Sequence, residues 1–375
     1  NYWGYGKGYY FAPKPSYSAS GHACRELKDM VKACHKAGIE VVVEMPFTPE
    51  ILPQMAIECL KYYMLEYHID GFVLNPYNAP WESMKQDPLL KGIKLIQKDD
   101  GFQNVMRRFL KGDEGMIPDV TWAIKHNSSE DNKYNYVTNQ TGFTLQDLVS
   151  YDAKHNEENG ENNQDGPDYN YSWNCGAEGP SRKKAIVELR KKQIRNALML
   201  LLLSQGTPCL LAGDEFGNTQ KGNNNVYCQD NETAWLNWNK KKMNEALFEY
   251  VRTLIQFRKE HTSLHKEMPL LGMDKTACGL PDISFHGELA WQTPAAVYSR
   301  QLGVLYCDNE AKQDTCYIAY NMHWLKHTFA LPSLPKGKKW YRVMDTATET
   351  CGEKLEEMQK AVRLDERSIV VLCGK

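Results

Sequence analysis

Short apolar runs, each only a few residues long, alternate with helix-patterned segments through the first two-thirds of the chain. That alternation constrains the fold more than any other feature. Leu27, Met30, Val31 and Cys34 recur at helical spacing, and Gly38 follows as a stop. The run Ile39-Glu40-Val41-Val42-Val43 then reads as a buried strand. Ile57, Leu60, Met64 and Tyr67 stripe a second helix, and Gly71-Phe72-Val73-Leu74 forms a second strand. A third strand is expected over 93–96 and a fourth over 134–138. A helix over 182–204 leads through Gly206-Thr207-Pro208 into a strand over 209–212. Helices alternating with fully apolar strands imply a parallel sheet covered on both faces. In such folds chemistry sits where strands end and loops begin. The 375 residues leave room for a barrel of roughly 250 residues plus a smaller domain.

The character changes after about residue 265. Alternating segments at 295–298, 315–320 and 368–372 are separated by Gly and Pro turns, which reads as an antiparallel β domain. The expected division is therefore a barrel-type domain over 1–265 and a β domain over 266–375. Between them in character is a long polar loop over 152–182, containing Asn159-Gly160-Glu161-Asn162-Asn163-Gln164-Asp165-Gly166. A loop of that length is usually functional or disordered; the aromatics Tyr169, Tyr171 and Trp173 favour order.

Lys and Arg total 45 against 47 Asp and Glu, a net charge of −2. So even a balance argues against a general nucleic-acid or anionic-membrane binder, whose affinity needs a positive surplus. The longest apolar run, 197–203, is far too short to span a bilayer. The eleven cysteines are odd in number and show no zinc-ligand spacing, so neither a disulfide framework nor a metal motif is expected. Cys34, Cys59 and Cys209 lie inside apolar segments, as free thiols of a reducing, cytoplasmic setting would. The first residue is Asn1 rather than Met, which fits a piece of a longer chain.

Long motifs carry a family resemblance. They include Asn1-Tyr2-Trp3-Gly4-Tyr5, Tyr10-Phe11-Ala12-Pro13 and Lys154-His155-Asn156-Glu157-Glu158-Asn159-Gly160-Glu161-Asn162. Downstream are Leu203-Ser204-Gln205-Gly206-Thr207-Pro208, Leu211-Ala212-Gly213-Asp214-Glu215, and Gly222-Asn223-Asn224-Asn225-Val226-Tyr227-Cys228-Gln229-Asp230-Asn231. Trp235-Leu236-Asn237-Trp238 and Ala319-Tyr320-Asn321-Met322-His323-Trp324 complete the set. Together they cover nearly the whole chain, which resembles the α-amylase clan of glycoside hydrolases (family thirteen), and within it bacterial glycogen-debranching enzymes and isoamylases. The resemblance implies a TIM-type (β/α)8 barrel followed by a C-terminal antiparallel β-sandwich. In the family the first of these motifs follows the second barrel strand, so the barrel is expected to lack its first two strands here.

The resemblance also implies a retaining mechanism: one carboxylate attacks the anomeric carbon and a second, ~5–5.5 Å away, protonates the leaving oxygen. A third Asp and a strand-end Arg assist. All four motifs that carry these groups are altered. The first, which should end in Asn-His, is Glu44-Met45-Pro46-Phe47-Thr48-Pro49. In the second, Asp70-Gly71-Phe72-Val73-Leu74-Asn75, Val73 stands for the Arg and Asn75 for the nucleophile. In the third, Lys94-Leu95-Ile96-Gln97-Lys98-Asp99, Lys98 stands at the position of the acid. In the fourth, Thr138-Asn139-Gln140-Thr141-Gly142-Phe143-Thr144-Leu145, Gln140 and Thr141 replace His and Asp.

A neutral amide is a poor nucleophile, Lys98 puts a cation where an acid must donate, and Thr141 carries no charge to stabilise an oxocarbenium ion. No catalytic residue is intact, and no cofactor or metal is expected. Val73 opposite a neutral Asn75 avoids leaving a buried Arg unpaired. Glu44, Asp99 and Asp100 are the carboxylates from which a displaced catalytic pair would have to be rebuilt. Candidate glycan contacts are Tyr5, Trp3, Asn75, Asn162, Asn163 and Asp165, set against plain structural roles in turns and loops. Asp214 and Glu215 are expected to support the fold. The function expected is a non-cleaving relative that binds α-glucan or assists an active debranching paralogue. The alternatives are an active α-1,6-glucan hydrolase using displaced carboxylates and a structural subunit of that paralogue.

Overall fold

A computed structural model of the chain describes every residue except 1, 2, 4, 6, 7, 127–130, 276, 309–313, 349 and 359, and leaves the side chains of 350–356 and 358 undescribed. The chain divides into two compact units, Asn1–Asp99 with Ser129–Tyr134, and Asp100–Ser128 with Asn135–Lys375.

The first unit alternates helix and strand: α1 (Ala23–Lys36), β1 (Val42–Met45), α2 (Pro53–Tyr67), β2 (Gly71–Leu74), α3 (Trp81–Gln86) and β3 (Lys94–Gln97). The strands form a parallel sheet in the order β1-β2-β3. Central β2 is buried at all four positions, as a strand covered on both faces must be. Gly71 is required by close approach, since a Cβ there would lie 2.6 Å from the Lys94 carbonyl oxygen and Cβ. Helix α2 begins with Pro53 at its first turn, where the missing N–H costs nothing, and ends at His68 in the left-handed conformation. Its Ala56, Ile57, Leu60, Tyr63 and Tyr67 pack with Phe72 and Leu74 of β2 into the core of this unit. In α1 only Val31 is buried and Met30 is 48% exposed, so the stripe read from the sequence is mostly a surface one.

The second unit carries helices α4 (Gly101–Lys111), α5 (Ile117–Lys125), α6 (Leu145–Leu148), α7 (Lys184–Leu202), α8 (Asn239–Met243) and α9 (Glu245–Glu260). Its strands are β4 (Ile283–His286), β5 (Gln301–Asp308), β6 (Asp314–Asn321), β7 (His327–Ala330), β8 (Trp340–Asp345), β9 (Thr350–Met358), β10 (Ala361–Leu364) and β11 (Ser368–Gly374). They make a six-stranded sheet in the order β4-β5-β6-β11-β8-β9 and a two-stranded β10-β7 sheet. The pairs within the six-stranded sheet are antiparallel.

The central strands β5, β6 and β11 are buried on both faces. Leu305, Tyr317, Ala319, Val370 and Leu372 face Phe329, Val362 and Leu364 of the small sheet, the interior of a sandwich. The alternate residues Val304, Tyr306, Ile318, Tyr320, Ile369 and Val371 join Leu198, Leu201, Val251 and Leu254 of α7 and α9 in a second core. That core therefore draws on residues from both sides of position 265.

Four strand expectations need correction. The segment 134–138 and the segment after Pro208 meet at one parallel bridge, Asn135 to Pro208, held by Asn135 N–H to Thr207 O and Cys209 N–H to Asn135 O. Pro208 has no N–H with which to continue a ladder. Residues 295–298 form no strand. The first strand also begins later than expected, at Val42, because Gly38 at φ 72° turns the chain and leaves Ile39 57% exposed. The described cysteines are all unbridged thiols, among which Cys59, Cys175, Cys307, Cys316 and Cys373 are buried. No helix among the described residues is long and apolar enough to cross a membrane.

Candidate functional site

In the first unit the expected site residues lie at the carboxyl ends of β1, β2 and β3. Strand register pairs Glu44 with Val73 and Val73 with Ile96, and side chains two residues apart share a face. Glu44, Val73 and Lys98 therefore stand on one face, with β2 in the middle. The Lys98 ammonium lies 3.5 Å from Glu44 Oε1, each side chain 26% exposed. The two charges meet across the strand whose own residue, Val73, is apolar and buried. Next along the chain, Asp99 is ion-paired with Lys133.

Asn75 follows β2 and is exposed. Its Oδ1 accepts the Tyr77 N–H at 2.8 Å, an Asx turn that the residue makes with its own backbone. Its carbonyl accepts from Asn78 and Ala79 N–H, Asn78 Nδ2 donates to Phe47 O at 3.0 Å, and Trp81 Nε1 donates to Pro76 O at 3.1 Å. The loop after β2 is thus closed by local bonds. Trp3 and Tyr5 are half-buried, their rings 6.2 Å apart and tilted by 52°. Asn1, Tyr2 and Gly4 of the same motif lie outside the described residues.

In the second unit Thr141 donates both its N–H and its hydroxyl to Asn139 Oδ1, at 3.0 and 3.1 Å. Gln140 beside it is half-buried. Asp100, the third carboxylate named from the sequence, accepts the Tyr136 hydroxyl at 2.5 Å. Buried Arg107 donates to Val137 O at 2.7 Å and Asn170 O at 3.1 Å. Burial lowers it to about 10, and the charges of Asp100 and Asp214 offset part of that. Asp214 bonds the Thr138 hydroxyl and takes the Leu145 N–H at 2.8 Å, joining the start of the fourth motif to its end, where α6 begins. Burial raises this carboxyl to about 7 against those hydrogen bonds. A carboxyl so enclosed supports the fold.

The long polar loop is ordered by its own amides. Asn156 Nδ2 donates to Asp165 O at 2.8 Å and Asn224 Oδ1 at 2.9 Å, and Asn156 Oδ1 accepts the Asn224 N–H. Asn224 Nδ2 donates to Pro167 O and Asn170 Oδ1. Asn163 donates to Lys154 O at 3.2 Å and accepts the Asn156 N–H at 2.8 Å. Asp165 Oδ2 accepts from Asn159 and Asn225, while its Oδ1 is buried with no hydrogen-bond partner among the described residues. Asn162 is exposed at φ 52°. Asn163 and Asp165 are thus parts of the lattice that closes the loop. That Lys154–Asn162 and Gly222–Asn231 would interlock was not evident from two motifs some sixty residues apart. Their shared richness in Asn was the available signal.

Residues 297–375 match the family described as isoamylase, C-terminal. A glycogen operon protein GlgX homolog of Haemophilus influenzae is 35% identical over 361 residues, covering 71% of this chain and 54% of that protein. The homolog of that name in Mycobacterium tuberculosis is 28% identical over 463 residues, covering 92% and 63%. That alignment is longer than the 375 residues of this chain, so the relative carries stretches that face gaps here. Isoamylase 1, chloroplastic, of Arabidopsis thaliana is 29% identical over 469 residues, covering 92% and 57%. The chain spans between about half and two-thirds of the length of these curated relatives.

Among solved structures, pullulanase type I from Bacillus subtilis in complex with maltose superposes with a TM-score of 0.72 at 16% identity, over 99% of this chain and 59% of that one. Pullulanase from Anoxybacillus in complex with maltotetraose gives 0.68 at 18% identity, over 99% and 60%. These likenesses show the fold: a TIM-type (β/α) barrel architecture followed by a C-terminal antiparallel β domain. With motifs, C-terminal family and fold in agreement, the chain is a relative of the glycogen-debranching and isoamylase proteins in the α-amylase clan of glycoside hydrolases.

Proposed function

We propose that this protein is a glycogen-debranching or isoamylase-type relative that does not cleave glycosidic bonds, and that it acts by holding α-glucan. The observation that carries the reading is the Glu44–Lys98 ion pair at the strand ends. Retaining hydrolysis needs a free carboxylate to attack and a protonated carboxyl to donate. Here the nucleophile position is the Asn75 amide, bonded into its own turn, and the acid position is a lysine engaged with Glu44. Asp99 has Lys133 and Asp100 has Tyr136 as partners, so the nearby carboxylates are already engaged as ion-pair or hydrogen-bond partners. Pullulanases of this fold have been solved with maltose and maltotetraose, which supports α-glucan as the ligand class. Trp3 and Tyr5, a tilted aromatic pair, are the proposed stacking surface. A cytoplasmic setting, with its free thiols, and an active debranching paralogue as partner belong to the same proposal.

The test is direct. Pure protein incubated with glycogen or pullulan should release reducing ends no faster than a buffer control, while glycogen in a native gel should retard it. Sustained release of reducing ends would overturn the reading in favour of a hydrolase with displaced carboxylates. Unretarded migration would leave a structural subunit as the better description.

A further inference from the structure

We propose that His261, Cys316 and Cys373 form a binding site for a zinc-class, thiolate-preferring cation that ties the end of α9 to the six-stranded sheet. One donor atom from each of the three side chains lies within 4.8 Å of the other two. Cys316 on β6 and Cys373 on β11 are direct cross-strand partners, with Sγ atoms 4.0 Å apart. His261 follows α9, its ring against Phe257 at 4.0 Å between centroids. Its Nδ1 lies 3.3 Å from Cys316 Sγ and its Nε2 3.9 Å from Cys373 Sγ.

These separations suit a tetrahedral metal. Zinc bonds of about 2.3 Å to sulfur and about 2.0–2.1 Å to imidazole nitrogen place neighbouring ligands about 3.5–3.8 Å apart. The Cys316–Cys373 separation of 4.0 Å and the His261 Nε2–Cys373 separation of 3.9 Å exceed that spacing by only a few tenths of an ångström.

The surroundings are those of a ligand set. Asp314 Oδ1 lies 2.5 Å from His261 Nδ1, and Asp314 Oδ2 accepts the Ser263 hydroxyl at 2.6 Å and its N–H at 3.2 Å. A carboxylate fixing one ring nitrogen turns the other towards a metal. Two thiolates with an imidazole favour zinc or another borderline-soft ion over calcium or magnesium. Cys316 and Cys373 are buried, whereas the His261 side chain keeps 19% of its surface exposed, which gives an ion a way in. Solvent would supply the fourth ligand. The site lies wholly in the second unit, and an ion there would join a helix end to two strands.

The test uses the full chain, freed of metal and then titrated with Zn2+ or with Co2+ as a spectroscopic probe. The expected result is about one bound ion per chain and, with Co2+, sulfur-to-cobalt charge-transfer absorption of a tetrahedral site. Cys316→Ser and Cys373→Ser should each abolish that band. Cys278→Ser should leave it intact, although Cys278 sits equally close to another thiol, Cys307, at 4.0 Å. Should a site variant fail to fold, alkylation of the unaltered chain decides: Zn2+ should protect Cys316 and Cys373, and a chelator should restore their reactivity. Absence of charge transfer with unprotected thiols would overturn the proposal. So would an intact mass lacking two hydrogens with a Cys316–Cys373 peptide link, since those sulfurs would then be a disulfide.

Discussion

Replacing Asn224 by Ala tests whether the polar loop is an internal lattice. Asn224 is fully buried, and its side chain makes three hydrogen bonds: to Pro167 O at 2.8 Å, to Asn170 Oδ1 at 2.9 Å, and from Asn156 Nδ2 at 2.9 Å. Each contributes about 1 kcal/mol net, and an acceptor left buried without a partner adds about 1–3 kcal/mol. Two of the groups left behind keep other bonds, Pro167 O from Asn170 Nδ2 and Asn156 Nδ2 to Asp165 O. Asn170 Oδ1 keeps none among the described residues. The loss should then be about 4–6 kcal/mol, less whatever a water in the vacated space restores. That is a large share of the roughly 5–15 kcal/mol holding a typical domain. Urea unfolding of the unaltered chain, Asn224→Ala, Asn156→Ala and the double variant would measure it. Because the two side chains bond each other, the cycle should show a coupling of at least about 1 kcal/mol. A cost below about 1 kcal/mol for Asn224→Ala, or additivity within error, would refute the lattice and reopen these amides as groups available to a ligand.

Three other outcomes can be measured. The Asp214 carboxyl, raised to about 7 by burial, holds its proton up to about that pH in the folded chain while the unfolded chain ionises near 4. Its contribution is therefore whole below about pH 4 and falls as pH rises to about 7, by roughly 4 kcal/mol. Asp214→Asn should flatten that part of a stability-against-pH curve, and an unchanged slope would count against it. Arg258 donates to the carbonyls of Leu202, Ser204, Leu264 and Gly206, so Arg258→Ala should cost more than about 3 kcal/mol in urea unfolding. Gly166 sits at φ 72° with room for a Cβ only 2.4 Å from Asn224 Oδ1. Gly166→Ala should lower the thermal midpoint by several degrees through both strain and collision.

The separate elements were legible wherever a local period carried the information. The run Gly71-Phe72-Val73-Leu74 is a strand to the residue, because four consecutive buried positions need four apolar or small residues. Helix α2 was visible through its stripe at Ile57, Leu60 and Tyr67. The same logic failed at 134–138 and after Pro208, where β-like composition yields a single bridge. Composition does not register that a proline lacks the N–H a second rung would need. It also hid the double burial of β5, β6 and β11. Tyr317 and Ala319 go to one core, Ile318 and Tyr320 to another, so both alternating sets are apolar.

The sequence by itself determined which residue types stand where the family resemblance would put an Asp, an acid and a second Asp, since Asn75, Lys98 and Thr141 are a matter of residue identity. Only the tertiary structure decided what those residues touch. The Lys98 charge finds Glu44 across a strand, Asn75 caps its own turn, and the amides of two distant motifs lock together. His261, Cys316 and Cys373 are separated by more than fifty residues at each step, a spacing no ligand motif describes, and strand pairing makes them neighbours. A side chain's identity is local, but its partner is chosen by the packing of the whole chain. Roles that depend on partners therefore had to wait for the fold.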